Sequence, residues 1–195
     1  MATNFPLYTQ ASSGLAASKI IACETGCVVA SDKVAGGIHT TVFTLTDFAV
    51  AIANTGASGG SKFATLPEGC VTILSAYTST LPVITTTSTL SSTINASSVG
   101  NYGVGTVVGS AGTLTTTMQN VIPTTAFTSS AVVSTVPAVA ATFGMLAAPL
   151  NLDGHTTAVP LFFNAGFAES NDIDGDATTT VTAGITLVWV HDGDA

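Results

Sequence analysis

Three groupings in this chain have residue types and spacings that suit chemistry. The first is Gly56-Ala-Ser-Gly-Gly60, which fits the G-x-S-x-G pattern, with Asp153 and His155 following in hydrolase order. A nucleophile elbow sets its serine on a sharp turn between a strand and a helix, which lifts the hydroxyl clear of the sheet. The residues after Ser58, Lys62-Phe-Ala-Thr-Leu66-Pro67, read as a strand instead. The spacing therefore predicts a hairpin loop and no enzyme.

The second grouping is Asp172-Ile-Asp-Gly-Asp176, three carboxylates on alternate residues, as in a calcium loop. An EF-hand loop takes Gly at its sixth position and Glu at its twelfth; here Ala177 and Ala183 stand there. Asp172, Asp174 and Asp176 are the calcium candidates, set against a solvated acidic turn that keeps one exposed tip soluble. The third grouping is His39, His155 and His191 with Cys23, Cys27 and Cys70. None of these has the paired spacing of a zinc site, so no metal and no cofactor is expected. Cys23 and Cys27 read as small buried side chains. Asn95-Ala-Ser97 is a glycosylation sequon that matters only in a secreted protein.

The element that must organise these residues is the C-terminal run Thr178 to Val190. Val181, Ala183, Ile185, Leu187 and Trp189 share one face, and Thr180, Thr182, Gly184 and Thr186 share the other. A period of two with many β-branched residues predicts a long strand with one buried face, and Trp189 lies on that face as a core residue, not a sugar-stacking platform. Such a strand needs a sheet beside it and a second layer above it. Ile38 to Ala53 is a second strand whose inward parity changes between Leu45 and Phe48, which predicts a β-bulge, or a crossing between sheets, near Thr46-Asp47. Asp32 to Gly37 reads as a turn, and a turn at Pro67-Glu68-Gly69 separates two further strands. Ile20 to Ala30 reads as a short strand or hairpin turning at Thr25-Gly26. The Ser/Thr-rich stretch from Thr78 to Thr135 keeps an apolar thread and reads as short strands joined by Gly turns, with one helical turn near Met118 to Ile122. Val136 to Ala148 is the one helix candidate, with Pro137 in its first turn. Ala158 to Phe167 is a strand with apolar residues on both faces, paired with the C-terminal strand as a hairpin through the acidic turn.

The expected fold is all-β: a single-domain antiparallel β-sandwich, jelly-roll-like, of about eight strands over residues 19–195, preceded by a short N-terminal arm over residues 1–18. Within the arm, Phe5, Leu7, Tyr8 and Leu15 are the large apolar residues that could anchor it on a partner.

Composition narrows the function. Of 195 residues only 7% are charged, against roughly 25% in an average domain. The net charge is −8 and the basic residues are Lys19, Lys33 and Lys62, with no Arg. Nucleic acid and anionic membranes both call for clustered cations, so neither is an expected partner. The most apolar stretch, Val136 to Leu150, is too short to span a bilayer. The N-terminal residues lack the basic and apolar regions of a secretory signal, and three cysteines form no even framework, so reduced thiols in a protein made in the cytoplasm are expected. A surface that is polar yet nearly neutral favours association with other protein surfaces.

Two stretches carry a resemblance. One is Thr44-Leu-Thr-Asp-Phe-Ala-Val-Ala-Ile52 with Phe63-Ala-Thr-Leu-Pro-Glu-Gly-Cys-Val-Thr-Ile-Leu74; the other is the strand Val181 to Val190 ending in His-Asp-Gly-Asp. With the Thr/Gly/Ala-rich composition they resemble virion structural proteins of tailed double-stranded DNA bacteriophages, above all the capsid decoration, or cement, proteins. The resemblance implies an oligomerising β-sandwich, made in the host cytoplasm, that binds the outer face of the capsid and bridges major capsid protein subunits. No catalytic residue transfers. The alternative is a carbohydrate-binding β-sandwich of a fibre or adhesin, which would use exposed aromatics such as Tyr8, Tyr77 and Tyr102.

Overall fold

The computed structural model describes residues 22–52, 58–87, 99–129, 135–140, 143–167 and 178–193. Among these, eleven strands form one continuous antiparallel ladder. They are β1 (Ala22–Cys23), β2 (Cys27–Ala35), β3 (Ile38–Val50), β4 (Ser58–Thr65), β5 (Gly69–Thr87), β6 (Val99–Gly105), β7 (Ile122–Ser129), β8 (Thr135–Ala140), β9 (Leu150–Gly154), β10 (Pro160–Phe167) and β11 (Thr178–Gly193). A 3-10 turn at Thr116–Met118 precedes β7, just ahead of the helical turn expected at Met118 to Ile122.

The C-terminal strand behaves as its pattern requires. β11 lies between β3 and β5, and Val181, Ala183, Ile185, Leu187 and Trp189 are all buried. Gly184 and Thr186 on its other face are buried too. The parity change in β3 is a β-bulge: Val181 pairs Phe48 and Ala183 pairs Leu45, so Thr46 and Asp47 together oppose Thr182. Asp47 takes up the extra residue with a left-handed φ of 46°. The bulge lets Phe43 and Leu45 on one side of it, and Phe48 and Val50 on the other, all point into the core.

The ladder runs β1-β4-β10-β6-β7-β8-β5-β11-β3-β2, with β9 off this path and paired to β5. It folds over on itself into two layers, so strands distant in this order face each other across the core. Phe43 of β3 meets Phe63 of β4 edge to face, with centroids 5.4 Å apart. Trp189, Tyr102, Phe43, Phe63 and Phe163 are fully buried. Each large side chain removed from water in this way contributes about 1.5–3 kcal/mol. An all-β antiparallel sandwich is thus what these residues build; the ladder does not establish the jelly-roll order.

Four local expectations change. Asp32 to Ala35 stay in β2, and the turn narrows to Gly36-Gly37, whose φ values of 59° and 81° suit a two-residue hairpin between Ala35 and Ile38. The turn at Thr25-Gly26 exists, but β1 pairs β4, not β2. β10 does not pair β11; it sits centrally between β4 and β6, in keeping with its apolar residues on both faces. The described parts of the helix expected over Val136 to Ala148, residues 136–140 and 143–148, are instead chain running along one edge of β5. β8 pairs with Val83–Thr87, Met145 bridges to Tyr77, and β9 pairs with Gly69–Ile73. Tertiary pairing overrides the Ala-rich composition here, because the long edge of β5 offers backbone partners that a lone helix would leave unmade.

Candidate functional site

The hydrolase-like residues are not assembled. Ser58 opens β4, a strand running on to Thr65, whereas Asp153 lies in β9 and His155 just beyond it, and β4 does not pair with β9. The Asp153 carboxylate accepts the His155 backbone N–H at 3.1 Å, so it shapes its own turn. The three histidines stand apart: His39 beside Asp32, His155 after β9, and His191 on β11 with Nε2 2.7 Å from the Glu68 carbonyl oxygen. Among the described residues no group of three or more His, Cys, Asp or Glu is arranged to hold a metal. The calcium candidates Asp172, Asp174 and Asp176, and the partner-binding candidates Phe5, Leu7, Tyr8 and Leu15, lie outside the described residues.

Two partly buried polar networks hold parts of the sheet together. In the first, Thr41 Oγ1 donates to Asp32 Oδ1 at 2.7 Å and accepts the Trp189 Nε1–H at 2.9 Å, while His39 Nδ1 lies 3.4 Å from Asp32 Oδ2. An Asp–His–Thr set invites a catalytic reading, but Thr41 is fully buried and its hydroxyl is engaged as donor and as acceptor. The set clamps β2, β3 and β11. In the second, fully buried Asn164 of β10 accepts the Gly109 N–H at 2.8 Å and donates to the carbonyls of Val107 and Met118 at 2.9 and 2.7 Å. It pins the 106–120 loop over the sheet. The alternation of β10 puts Asn164 on the face opposite Leu161 and Phe163, where it meets this loop and Gly60 of β4.

The feature best suited to a function lies on the outer edge of β5. Gly144 is buried: its N–H is within 3.0 Å of both Thr78 Oγ1 and Tyr102 Oη, and its carbonyl accepts the Thr78 N–H at 3.0 Å. A side chain there would press on Ile122 and the Tyr102 hydroxyl, so the position needs glycine. With Gly144 held inward, extended chain turns its neighbours outward. Phe143 is 58% exposed and Met145 65% exposed, and Met145 is the cross-strand partner of Tyr77, itself 37% exposed. Leu81 continues the exposed apolar strip along β5.

This strip also lies within a long uncharged run. From Gly69 to Leu152 the chain contains no Asp, Glu, Lys, Arg or His. Both the β5 face and the segment beside it therefore present only apolar and hydroxyl or amide groups. The cores of protein–protein interfaces have this composition, enriched in Tyr, Phe and Met and depleted in Lys, Glu and Asp. The uncharged run was the sequence signal for this surface; the outward aim of Phe143 and Met145 was hidden by the helical reading of the same residues. Tyr102, one of the aromatics suggested for sugar stacking, is fully buried and lies parallel to Phe163 at 5.6 Å, so it offers no face to a glycan.

Among the described residues no helix is long and apolar enough to cross a membrane. No family model, no curated protein and no solved structure matches the chain.

Proposed function

We propose that this protein is a structural virion protein, a capsid decoration protein that docks on the outer face of a bacteriophage shell and braces contacts between major capsid protein subunits. The observation that carries this reading is the exposed, uncharged strip of Tyr77, Leu81, Phe143 and Met145 along β5. Full burial of an exposed large apolar side chain contributes about 1.5–3 kcal/mol, less about 0.5–1.5 kcal/mol for immobilising it, so Phe143 and Met145 have the most to gain and the half-covered Tyr77 and Leu81 less. A strip without charges carries no desolvation penalty for buried ions. Repetition over many equivalent sites on a shell would multiply a modest contact into a mechanical brace. The resemblance of Thr44–Ile52, Phe63–Leu74 and Val181–Val190 to decoration proteins supports the same reading.

The test is binding of purified protein to capsids of the parent phage that lack it, followed by co-sedimentation. The wild-type chain should pellet with the capsids at saturable stoichiometry. The double variant Phe143→Ser/Met145→Gln should stay in the supernatant while keeping the wild-type circular dichroism spectrum. Equal pelleting of the two proteins would remove the strip from the docking surface. Failure of the wild-type chain to pellet would remove the capsid reading itself.

A further inference from the structure

Cys23 and Cys27 are brought together more closely than their spacing alone demands. Cys27 Sγ lies 3.3 Å from Cys23 Sγ and donates its S–H to it. Their position in the ladder gives this pair its significance. β1 and β2 are the first and last strands in the ladder order, and the turn Glu24-Thr25-Gly26 joins them. The turn is fastened on both sides: the Glu24 N–H donates to the Phe63 carbonyl of β4, and the Gly26 carbonyl accepts the Thr46 N–H of β3. A Lys62–Glu24 ion pair at 2.8 Å adds a second tie to β4. The two sulfurs therefore face each other across the seam where the folded sheet meets its own other end.

We propose that Cys23 and Cys27 form an oxidisable dithiol site. A small-molecule disulfide of the oxidised-glutathione class converts it to an intramolecular disulfide that closes the seam between β1 and β2. Cys23 is the partly exposed member and Cys27 the buried one, which sets the order of events. The Cys23 thiolate attacks one sulfur of the oxidant and expels one glutathione thiolate, leaving a mixed disulfide on Cys23. Cys27 then gives up its proton and attacks Cys23 Sγ, which breaks the mixed disulfide and expels the second glutathione. Two electrons pass from the cysteine pair to the oxidant, and the two protons end on the two glutathione thiols. The sulfurs need to close from 3.3 Å to the ~2.05 Å of a disulfide. This site is independent of the capsid reading: it needs only the folded chain and an oxidant, and the outcome of the docking experiment does not bear on it.

The experiment incubates the reduced, folded protein with oxidised glutathione, then counts thiols, maps peptides by mass and records thermal unfolding. Of the three thiols, only Cys70 should remain titratable, the protein should be lighter by two hydrogens, and a Cys23–Cys27 linked peptide should appear. The melting temperature should rise by about 3–6 °C and return on adding dithiothreitol, as expected for a short closed loop in a domain of this size. Cys70→Ser should keep the linked peptide and the reversible rise in melting temperature while leaving no titratable thiol, and Cys27→Ser should stop the reaction at a glutathione adduct on Cys23. Three thiols still titratable, stable glutathione adducts on the wild-type protein, or dimers linked between chains would each overturn the proposal. The wild-type comparison needs no variant to fold.

Discussion

The indole of Trp189 and the imidazole of His39 lie stacked across the β3–β11 ladder, their centroids 4.1 Å apart and their planes 18° from parallel. The stack is held edge-on by Thr41, whose hydroxyl accepts the indole N–H and donates to Asp32, while Asp32 also reaches His39. One hydroxyl thus fixes the largest buried side chain of the core and the one carboxylate beneath the histidine. Thr41→Val keeps the shape and removes the hydroxyl, which strands a buried indole N–H. We expect it to cost about 1.5–3 kcal/mol in denaturant unfolding, and Thr41→Ser to recover most of that loss. A Thr41→Val protein as stable as wild type would show that the network is incidental.

Asn164 should be the most sensitive polar position of the second layer. Asn164→Ala leaves the buried Gly109 N–H and the partly buried carbonyls of Val107 and Met118 without their side-chain partner. A loss of about 3–5 kcal/mol is expected, together with faster proteolysis within residues 106–120. Asn164→Asp should be worse still, because it turns a carboxylate toward two carbonyl oxygens. Urea unfolding and limited proteolysis of the three proteins check both statements.

The cysteine pair has a pH signature. The hydrogen bond from Cys27 holds the Cys23 pKa below that of an ordinary thiol, against the opposing effects of burial and of the Glu24 charge. Cys27 is pushed well above the ordinary value by the same hydrogen bond, by burial, and by the charges of Cys23 and Glu24. A lowered pKa means that thiolate persists to lower pH, so alkylation of Cys23 by iodoacetamide should reach half its maximal rate at a lower pH than alkylation of a free cysteine does. Cys27 should remain unmodified across the same range. In Cys27→Ala the Cys23 profile should move toward higher pH, since alanine offers no hydrogen bond to the Cys23 thiolate. Mass spectrometry of time courses at several pH values reads each site separately.

Much of this structure could be read from side-chain parity. The inward set of β11 and the bulge at Asp47 both follow from where Phe, Leu, Val and Trp fall at a period of two, because a slip of one residue would expose the whole set. What parity cannot carry is which strands pair. β10 and β11 are neighbours in sequence yet lie beside β4 and β6, and beside β3 and β5 respectively. Val136 to Ala148 misled for a related reason: small residues with no clear period fit a helix as easily as an edge, and the edge of β5 decides the matter. The docking strip was half legible. The absence of charge from Gly69 to Leu152 is plain in the sequence, but the outward aim of Phe143 and Met145 depends on Gly144 being held by Thr78 and Tyr102. The thiol pair was legible only as two nearby cysteines; the turn between them brings the sulfurs together.

Because Phe143 and Met145 are mostly exposed, the Phe143→Ser/Met145→Gln protein should unfold within about 0.5 kcal/mol of wild type. Gly144→Val between them should behave oppositely, since a branched side chain meets Ile122 and the Tyr102 hydroxyl, and its melting temperature should fall sharply. Differential scanning calorimetry of the two proteins separates the residues that serve the surface from the residue that shapes it.

The most direct measurement is the location of this protein in purified phage particles, by cryo-electron microscopy of the capsid with quantitative mass spectrometry of the same preparation. A decoration protein predicts β-sandwich density on the outer face of the shell, at a fixed ratio to the major capsid protein, with the β5 strip of Tyr77, Phe143 and Met145 turned toward the capsomers. Particles that contain no copy of the chain, or that carry it only at the tail or fibres, would contradict the capsid role.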